Sequence, residues 1–277
     1  MNYKKLLRLL PIPILLLIVC AIYLLFLIQT NQIALDIDFK GGTQIFATSD
    51  KQLSDTALEN VLKQYDANVR TSRGITGYAV FIDFDASIKA QDVLNTLSQN
   101  GYNFKQYSIQ TTGPAIGTYF FQQALIVLAV SFIFMAVTVF IMFRNPMPSL
   151  YLILTVASDL TETFVITQII GIKLSLAVFA ALLLLIGAAV GDNILFTTRL
   201  LKSTPKDYDA IIKKTFKTGM TMFAAVQAAF ASLLLISASA VITQIAAISI
   251  IGGVLDVMNS WVLNLGLLML FMTRKIK

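Results

Sequence analysis

The sequence predicts a polytopic α-helical membrane protein, six transmembrane helices in a one-plus-five arrangement around one extracytoplasmic α+β domain of ferredoxin-like βαββαβ order. Three observations predict it. Apolar runs long enough to cross a bilayer recur six times, a soluble stretch separates the first run from the second, and basic residues cluster beside alternate ends of the runs. Of the 277 residues, 57% are hydrophobic and 13% charged, a balance that a soluble domain would hold in solution with difficulty.

The runs fall at about 9–29, 119–143, 149–170, 174–198, 218–238 and 242–272. Each reaches the ~20 residues that a hydrocarbon core requires. The first follows Lys4, Lys5 and Arg8 and continues without a small-residue cleavage pattern, so it reads as a retained anchor and not as a signal peptide. The chain therefore divides into a first helix (1–29), an extracytoplasmic domain (30–115) and a five-helix membrane domain (116–277). Lys4, Lys5, Arg8, Arg144, Arg199, Lys202, Lys206, Lys213, Lys214, Lys217, Arg274, Lys275 and Lys277 fall in segments on one side, and the short connections on the other side hold only Lys173. By the positive-inside rule both termini are cytoplasmic.

Within 30–115 the pattern alternates. Gly42 to Thr48 reads as a strand, Leu53 to Gln64 as an amphipathic helix, and Ala67 to Ser72 with Tyr78 to Phe84 as a hairpin around Arg73-Gly74. A helix from about Lys89 to Gln99 and a strand from about Asn103 to Thr111 complete the βαββαβ order. Such a fold hosts many functions and by itself says only that this is a compact interaction domain.

The net charge of +6 reflects topology signals beside the runs and not a nucleic-acid surface. There is no histidine, and the single cysteine, Cys20, lies inside the first run. A disulfide within the chain, a Cys/His metal site and a His-based triad are thereby excluded. Neither an enzyme nor a cofactor is expected.

Attention then falls on polar residues in the runs. Asp159 stands eleven residues past Pro148, which at 1.5 Å per residue sets it roughly 16 Å deep, near the bilayer midplane. Glu162 follows at i+3, so the two acids share a helix face with Thr155 and Thr163 that must look toward protein or water. One reading is a protonatable relay; the other is an interhelical hydrogen bond that holds the bundle together. The fourth run carries Gly187 and Gly191, a small-residue face for helix packing, followed by Asp192 and Asn193. Asp192 reads equally as a relay member or as an ion pair with Arg199, seven residues on. The last run carries Asp256, Asn259, Ser260 and Asn264, a polar stripe on one face of an apolar helix. Gln227 in the fifth run is assigned no role.

Beyond the first helix, Asp38, Gly41 and Gly42 belong to the segment IDFKGG. On physical grounds this is a hinge between membrane and domain. As a motif it resembles the signature of the SecD/SecF family of protein-export proteins. TGPAIG at 112–117 resembles the segment that leads the family's second helix into the membrane, and residues 158–202 resemble its third and fourth helices. GGVLDVMNSWVLNLGLL is similar to the last helix of archaeal members. The resemblance implies a SecF-type subunit of the resistance-nodulation-division superfamily, with partners SecD, the Sec translocation channel, secreted and membrane preproteins, and membrane lipid. It implies a place for Asp159 in a proton path driven by the proton-motive force. The stretches GAAVGDN and TTRLL depart from the bacterial pattern, which opens a share of that path to Glu162 or Asp256. A scaffold subunit without transport activity, and an independent small-molecule exporter, stand as alternatives.

Overall fold

The computed structural model describes residues 7–74, 77–104, 106–202, 208–237 and 239–275. Six helices among them are long and apolar enough to span a membrane. In chain order the elements are α1 (Pro11–Gln29), α2 (Ile37–Lys40), β1 (Gly42–Ser49), α3 (Asp55–Val61), β2 (Asn68–Gly74), β3 (Gly77–Phe84), α4 (Ala90–Gln99) and β4 (Gln106–Thr112). The membrane helices α5 (Pro114–Phe143), α6 (Pro146–Ile169), α7 (Leu176–Leu201) and α8 (Tyr208–Ile236) follow. The last span runs through α9 (Ala240–Met258), a π-helical turn (Asn259–Asn264) and α10 (Leu265–Lys275).

The soluble domain is a four-stranded antiparallel sheet in the order β2-β3-β1-β4. This is the split βαβ order expected from the alternation of elements. Period-two patterning decides its two faces. Ile45, Val80 and Ile82 turn toward Leu58, Leu62, Val93 and Leu97 of the helical layer and form the domain core. Residues of opposite parity, among them Phe46 and Phe81, lie on the helix-free face. The first domain helix is shorter than 53–64: α3 covers Asp55–Val61 and gives way to a 3-10 turn at Lys63–Tyr65, with Asp66 left-handed at its end. β4 begins at Gln106, later than Asn103, and residues 75–76 of the hairpin lie outside the described residues.

Start signals fix the membrane helices. Proline occupies the first turn of α5 and α6, where its missing N–H is no loss. Asn145 caps α6 by accepting from Met147 N, and Ser175 caps α7 by accepting from Val178 N. α6 and α7 are the interior of the bundle, whereas α1, α5 and α8 present most of their apolar surface outward. Leu15 is 67% exposed and Phe134 68%, as lipid-facing residues must be. α8 begins ten residues before the apolar run at 218, so Lys213, Lys214 and Lys217 lie on its first turns and not in a connecting loop. Helical geometry continues there because Tyr208, Ile212 and Thr215 form a buried stripe opposite the lysines. Lys4, Lys5, Lys206 and Lys277 lie outside the described residues.

Candidate functional site

Three elements of the bundle bring the polar membrane residues together. Asp159 and Glu162 stand on one face of α6, and both are fully enclosed, as are Thr155 and Thr163. Asn259, at the start of the π-turn, is equally buried and donates its Nδ2 to Asp159 Oδ1 at 2.8 Å and to Glu162 Oε2 at 2.9 Å. One amide thus bridges two carboxyl groups. Asp256, one turn earlier on α9, interacts directly with Asp159 and accepts from Ser260 Oγ at 2.8 Å.

From Ser260 the chain of contacts continues to α7. Asn193 Nδ2 donates to Ser260 Oγ at 2.7 Å, and Asn264 Nδ2 donates to Asn193 Oδ1 at 2.6 Å and to Thr197 Oγ1 at 3.4 Å. Asn259, Ser260 and Asn264 all lie in the π-turn, and all three are buried in the bundle. Trp261 of the same turn is held edge-on between Phe196 and Phe216, at centroid distances of 5.0 and 4.9 Å. It lies over Gly219, where a Cβ would approach the indole to 2.7 Å.

Among the described residues no lysine or arginine stands within ion-pair distance of Asp159, Glu162 or Asp256. Asp159 Oδ2, Glu162 Oε1, Thr163 Oγ1 and Asn259 Oδ1 also lack hydrogen-bond partners. Buried acceptors in this number, with no permanent cation, leave room for protons as donors.

Other expectations fall differently. Asp192 is half-buried on α7 and, of its two readings, the ion pair with Arg199 is not formed among the described residues; Arg199 lies outside the hydrogen-bonded chain. Gly187 and Gly191 face outward and do not mediate helix packing within the chain, for a Cβ on either would meet nothing within 4 Å. The neighbouring helices pack instead on the face of α7 that carries Leu182, Ile186, Ala189 and Asn193.

IDFKGG forms a joint. Asp36 caps the short α2 by accepting from Ile37 N. Asp38 accepts from Leu176 N, the first amide of α7, and from Gln110 Nε2 of β4, both at 3.0 Å. Gly41, at φ +79°, would set a Cβ 2.7 Å from Pro114 Cα, and a Cβ on Gly117 would sit 2.8 Å from Phe39 O. The two motifs, some seventy residues apart, meet backbone to backbone, which is closer contact than a free hinge has.

A second cluster escaped the sequence reading. Asp83 on β3 receives Gln44 Nε2 at 2.6 Å, Arg70 Nη2 at 3.0 Å and Lys173 Nζ at 2.9 Å, and Lys173 also donates to Asn68 Oδ1 at 2.9 Å. Burial pushes the Asp83 carboxyl up, but the Gln44 hydrogen bond and the two cations outweigh it and hold it below its ordinary value. Asp36 is held above its ordinary value by burial and by the neighbouring Asp83 charge. The isolation of Lys173 among the connections on its side was the signal that could have found this cluster.

Comparison with known proteins agrees with this architecture. A profile of the family described as protein export membrane protein SecD/SecF, C-terminal, matches residues 92–274. The protein-export membrane protein SecF of Methanocaldococcus jannaschii is 33% identical over 95% of this chain and 94% of its own length. SecF of Methanothermobacter thermautotrophicus is 34% identical over 88% of this chain and 86% of its own length. The crystal structure of SecDF, a translocon-associated membrane protein from Thermus thermophilus, superposes with a TM-score of 0.80 at 18% identity, a likeness of fold. It covers 99% of this chain, which spans only 39% of the SecDF chain. This multi-pass membrane chain therefore belongs to the SecD/SecF family of protein-export membrane proteins.

Proposed function

We propose that this chain acts as the SecF-type subunit of the Sec machinery, pairing with SecD beside the translocation channel and promoting export of preproteins under the proton-motive force. In this reading residues 30–115 lie outside the cytoplasmic membrane and both termini lie inside. The basic residues at the ends of the helices away from the sheet support that orientation. SecD supplies the remaining half of the assembly, and the outward Gly187–Gly191 face of α7 suits a close-packed partner helix.

The single observation that carries the proposal is the bridged pair Asp159–Asn259–Glu162, enclosed among helices with no cation beside it among the described residues. A proton added to either carboxyl turns an acceptor into a donor. The amide of Asn259 then loses its role as sole donor to the pair, and the contact between α6 and the π-turn rearranges. Because α6 runs from Asp159 to Gln168, whose Oε1 accepts from Ala34 N at 3.0 Å, movement there reaches the segment that carries the soluble domain. Glu162, Asp256 and the Ser260–Asn193–Asn264 chain extend the path across the bundle, while Asp192 and Arg199 flank it.

The test is the export rate of a secreted reporter in cells carrying Asp159→Asn, with subunit levels matched. Asn keeps the shape and hydrogen bonding of the residue and cannot titrate. The expected result is export slowed to the rate of the deletion with the complex still assembled. Unchanged export would make the cluster a packing feature and the chain a scaffold that joins SecD to the channel.

A further inference from the structure

The extension of α8 before its apolar run carries Lys213, Lys214 and Lys217 on the face turned away from the bundle. We infer that these three lysines seat the phosphate of an anionic lipid, whose acyl chain lies along the outward face of α8 below them. Such a site goes beyond the export reading and requires only that α8 spans the membrane, as its length and hydropathy allow.

Spacing gathers the three ammonium groups. Lys213 and Lys217 are four residues apart and Lys214 and Lys217 three, so the side chains leave one face of the helix, and all three are exposed. Tyr208, Ile212, Thr215 and Gly219 are buried on the opposite side, which fixes the rotation of the extension and keeps the lysines outward. Lys217 directly precedes the apolar run that begins at 218. The cluster therefore stands at the level of the headgroups, with its aliphatic stems toward the hydrocarbon.

Like charges at these spacings repel and weaken the helix that carries them. An anion shared among them removes that cost. The chain itself supplies none: among the described residues none of the three lysines forms an ion pair, whereas Lys173, at the other end of the bundle, is bound to Asp83 and Asn68. Three converging ammonium donors without a carboxylate match a phosphate, which offers several acceptor oxygens and at least one negative charge.

The face below the lysines distinguishes a lipid from a phosphate in solution. Steps of three and four residues lead from Lys217 to Thr221, Ala225, Ala228 and Ser232, all exposed. The distance from Lys217 to Ala228 along the axis is ~16 Å, about the depth of hydrocarbon in one leaflet. Both hydroxyls on this line are turned back on the helix, Thr221 Oγ1 donating to Lys217 O and Ser232 Oγ to Ala228 O, each at 2.8 Å. Neither is left to solicit a polar partner, and the line is apolar in effect. Met222 and Val226, 45% and 47% exposed, stand beside it. A soluble phosphate would use the lysines alone; a phospholipid uses the lysines and the face together.

The test uses the full chain in nanodiscs. In phosphatidylcholine alone, Lys213→Gln with Lys214→Gln and Lys217→Gln is expected to unfold no earlier than wild type, because the replaced charges only repel one another. Adding phosphatidylglycerol raises the unfolding temperature of wild type and not of the triple variant. After transfer to detergent, phosphatidylglycerol retained per chain falls about ten-fold in the triple variant. It is unchanged in Arg8→Gln with Arg144→Gln, which removes two exposed charges elsewhere in the chain. In cells, a photoreactive phenylalanine analogue at Ala228 gives adducts richer in anionic lipid than the surrounding membrane, and replacing the lysines abolishes the enrichment. Equal stabilisation of wild type and triple variant, or equal loss of lipid in the arginine variant, would reduce the site to general attraction and overturn it. Displacement of the lipid by excess inorganic phosphate would assign the lysines to a soluble anion. Adducts at position 228 to another protein in place of lipid would give the face to a partner helix.

Discussion

Lys173 and Asp83 meet at 2.9 Å and join the connection between two membrane helices to a central strand of the soluble domain. Asp83 is only 3% exposed and Lys173 18%, so the pair is better shielded than a surface salt bridge, whose worth is commonly below 1 kcal/mol. Just beside it, Asp36 N donates to Leu174 O at 2.8 Å and Leu174 N to Ala34 O at 2.7 Å, a short parallel bridge between the same two segments. The domain is therefore held to the membrane part by a charged contact and a strip of backbone.

Removing the ammonium tests which of these holds. Lys173→Met keeps the aliphatic stem and deletes a charged hydrogen bond of about 2 kcal/mol. The amides of Asp36 and Leu174 are then expected to exchange with solvent about 30-fold faster, while those of Ile45 and Ile82 in the domain core keep their protection. Unchanged exchange at Asp36 and Leu174 would show that the backbone strip holds the domain by itself.

The same contact sets an acid limit. The carboxyl of Asp83 is held below its ordinary value, because Gln44, Lys173 and Arg70 outweigh the opposing effect of burial. Its contribution is therefore complete above the unfolded carboxylate value, near ~4, and is lost as pH falls through the lower folded value. Asp36 works in the opposite sense: held above its ordinary value, it favours the folded state below the unfolded value and loses that contribution as pH rises. The acid-side loss of domain docking thus belongs to Asp83. Asp83→Asn should give docking that is weaker at pH 7 and flatter between about pH 5 and pH 2, measured by amide exchange at Leu174. A wild-type acid limb retained in the variant would assign it elsewhere.

Three glycines next to Pro114 separate strain from mere presence. Gly41 combines φ +79° with a Cβ path blocked by the Pro114 backbone, and Gly117 has ordinary dihedrals but a Cβ path blocked by Phe39 O. Gly113 has neither obstacle. Alanine at 41 or 117 should each lower thermal stability in detergent, by about 2 kcal/mol or more, since backbone atoms on both sides must shift. Alanine at 113 should leave it within ~0.5 kcal/mol of wild type. Equal effects at all three positions would disprove the backbone-to-backbone joint.

The division into one helix, one domain and five helices was legible because apolar length and period-two alternation are local properties. Asp159, Glu162 and Asn259 were legible as separate outliers in apolar runs, since a polar side chain in a membrane span must face protein. Their meeting was not, because the spacing within each run fixes a polar face of that helix but not which other helix the face is packed against. Asp83 was hidden for the opposite reason: a polar residue at an alternating strand position reads as solvent-facing. Its carboxyl is instead covered by Gln44 and Arg70 of the neighbouring strands and by Lys173 descending from the membrane domain. Gly187 and Gly191 show a third limit, for a small-residue face signals close packing without saying whether the partner lies in the same chain.

That last ambiguity yields a prediction about assembly. Elsewhere in this bundle a helical glycine can be matched by an intruding side chain, as Gly252 is by Leu185 and Gly266 by Leu10. Gly187 and Gly191 have open space above them, although they sit mid-helix on a span whose other face is fully packed. Leucine at both positions therefore adds volume where this chain has nothing to displace, and the isolated chain should unfold within a few degrees of wild type. If a partner helix rests there, as the SecD proposal requires, two added isobutyl groups hold the helices apart and remove the close backbone approach. Co-purification of SecD with the Gly187→Leu, Gly191→Leu chain should then fall at least ten-fold. Full recovery of SecD would place its contact on another face of the bundle, with the outward surfaces of α1, α5 and α8 as the remaining candidates.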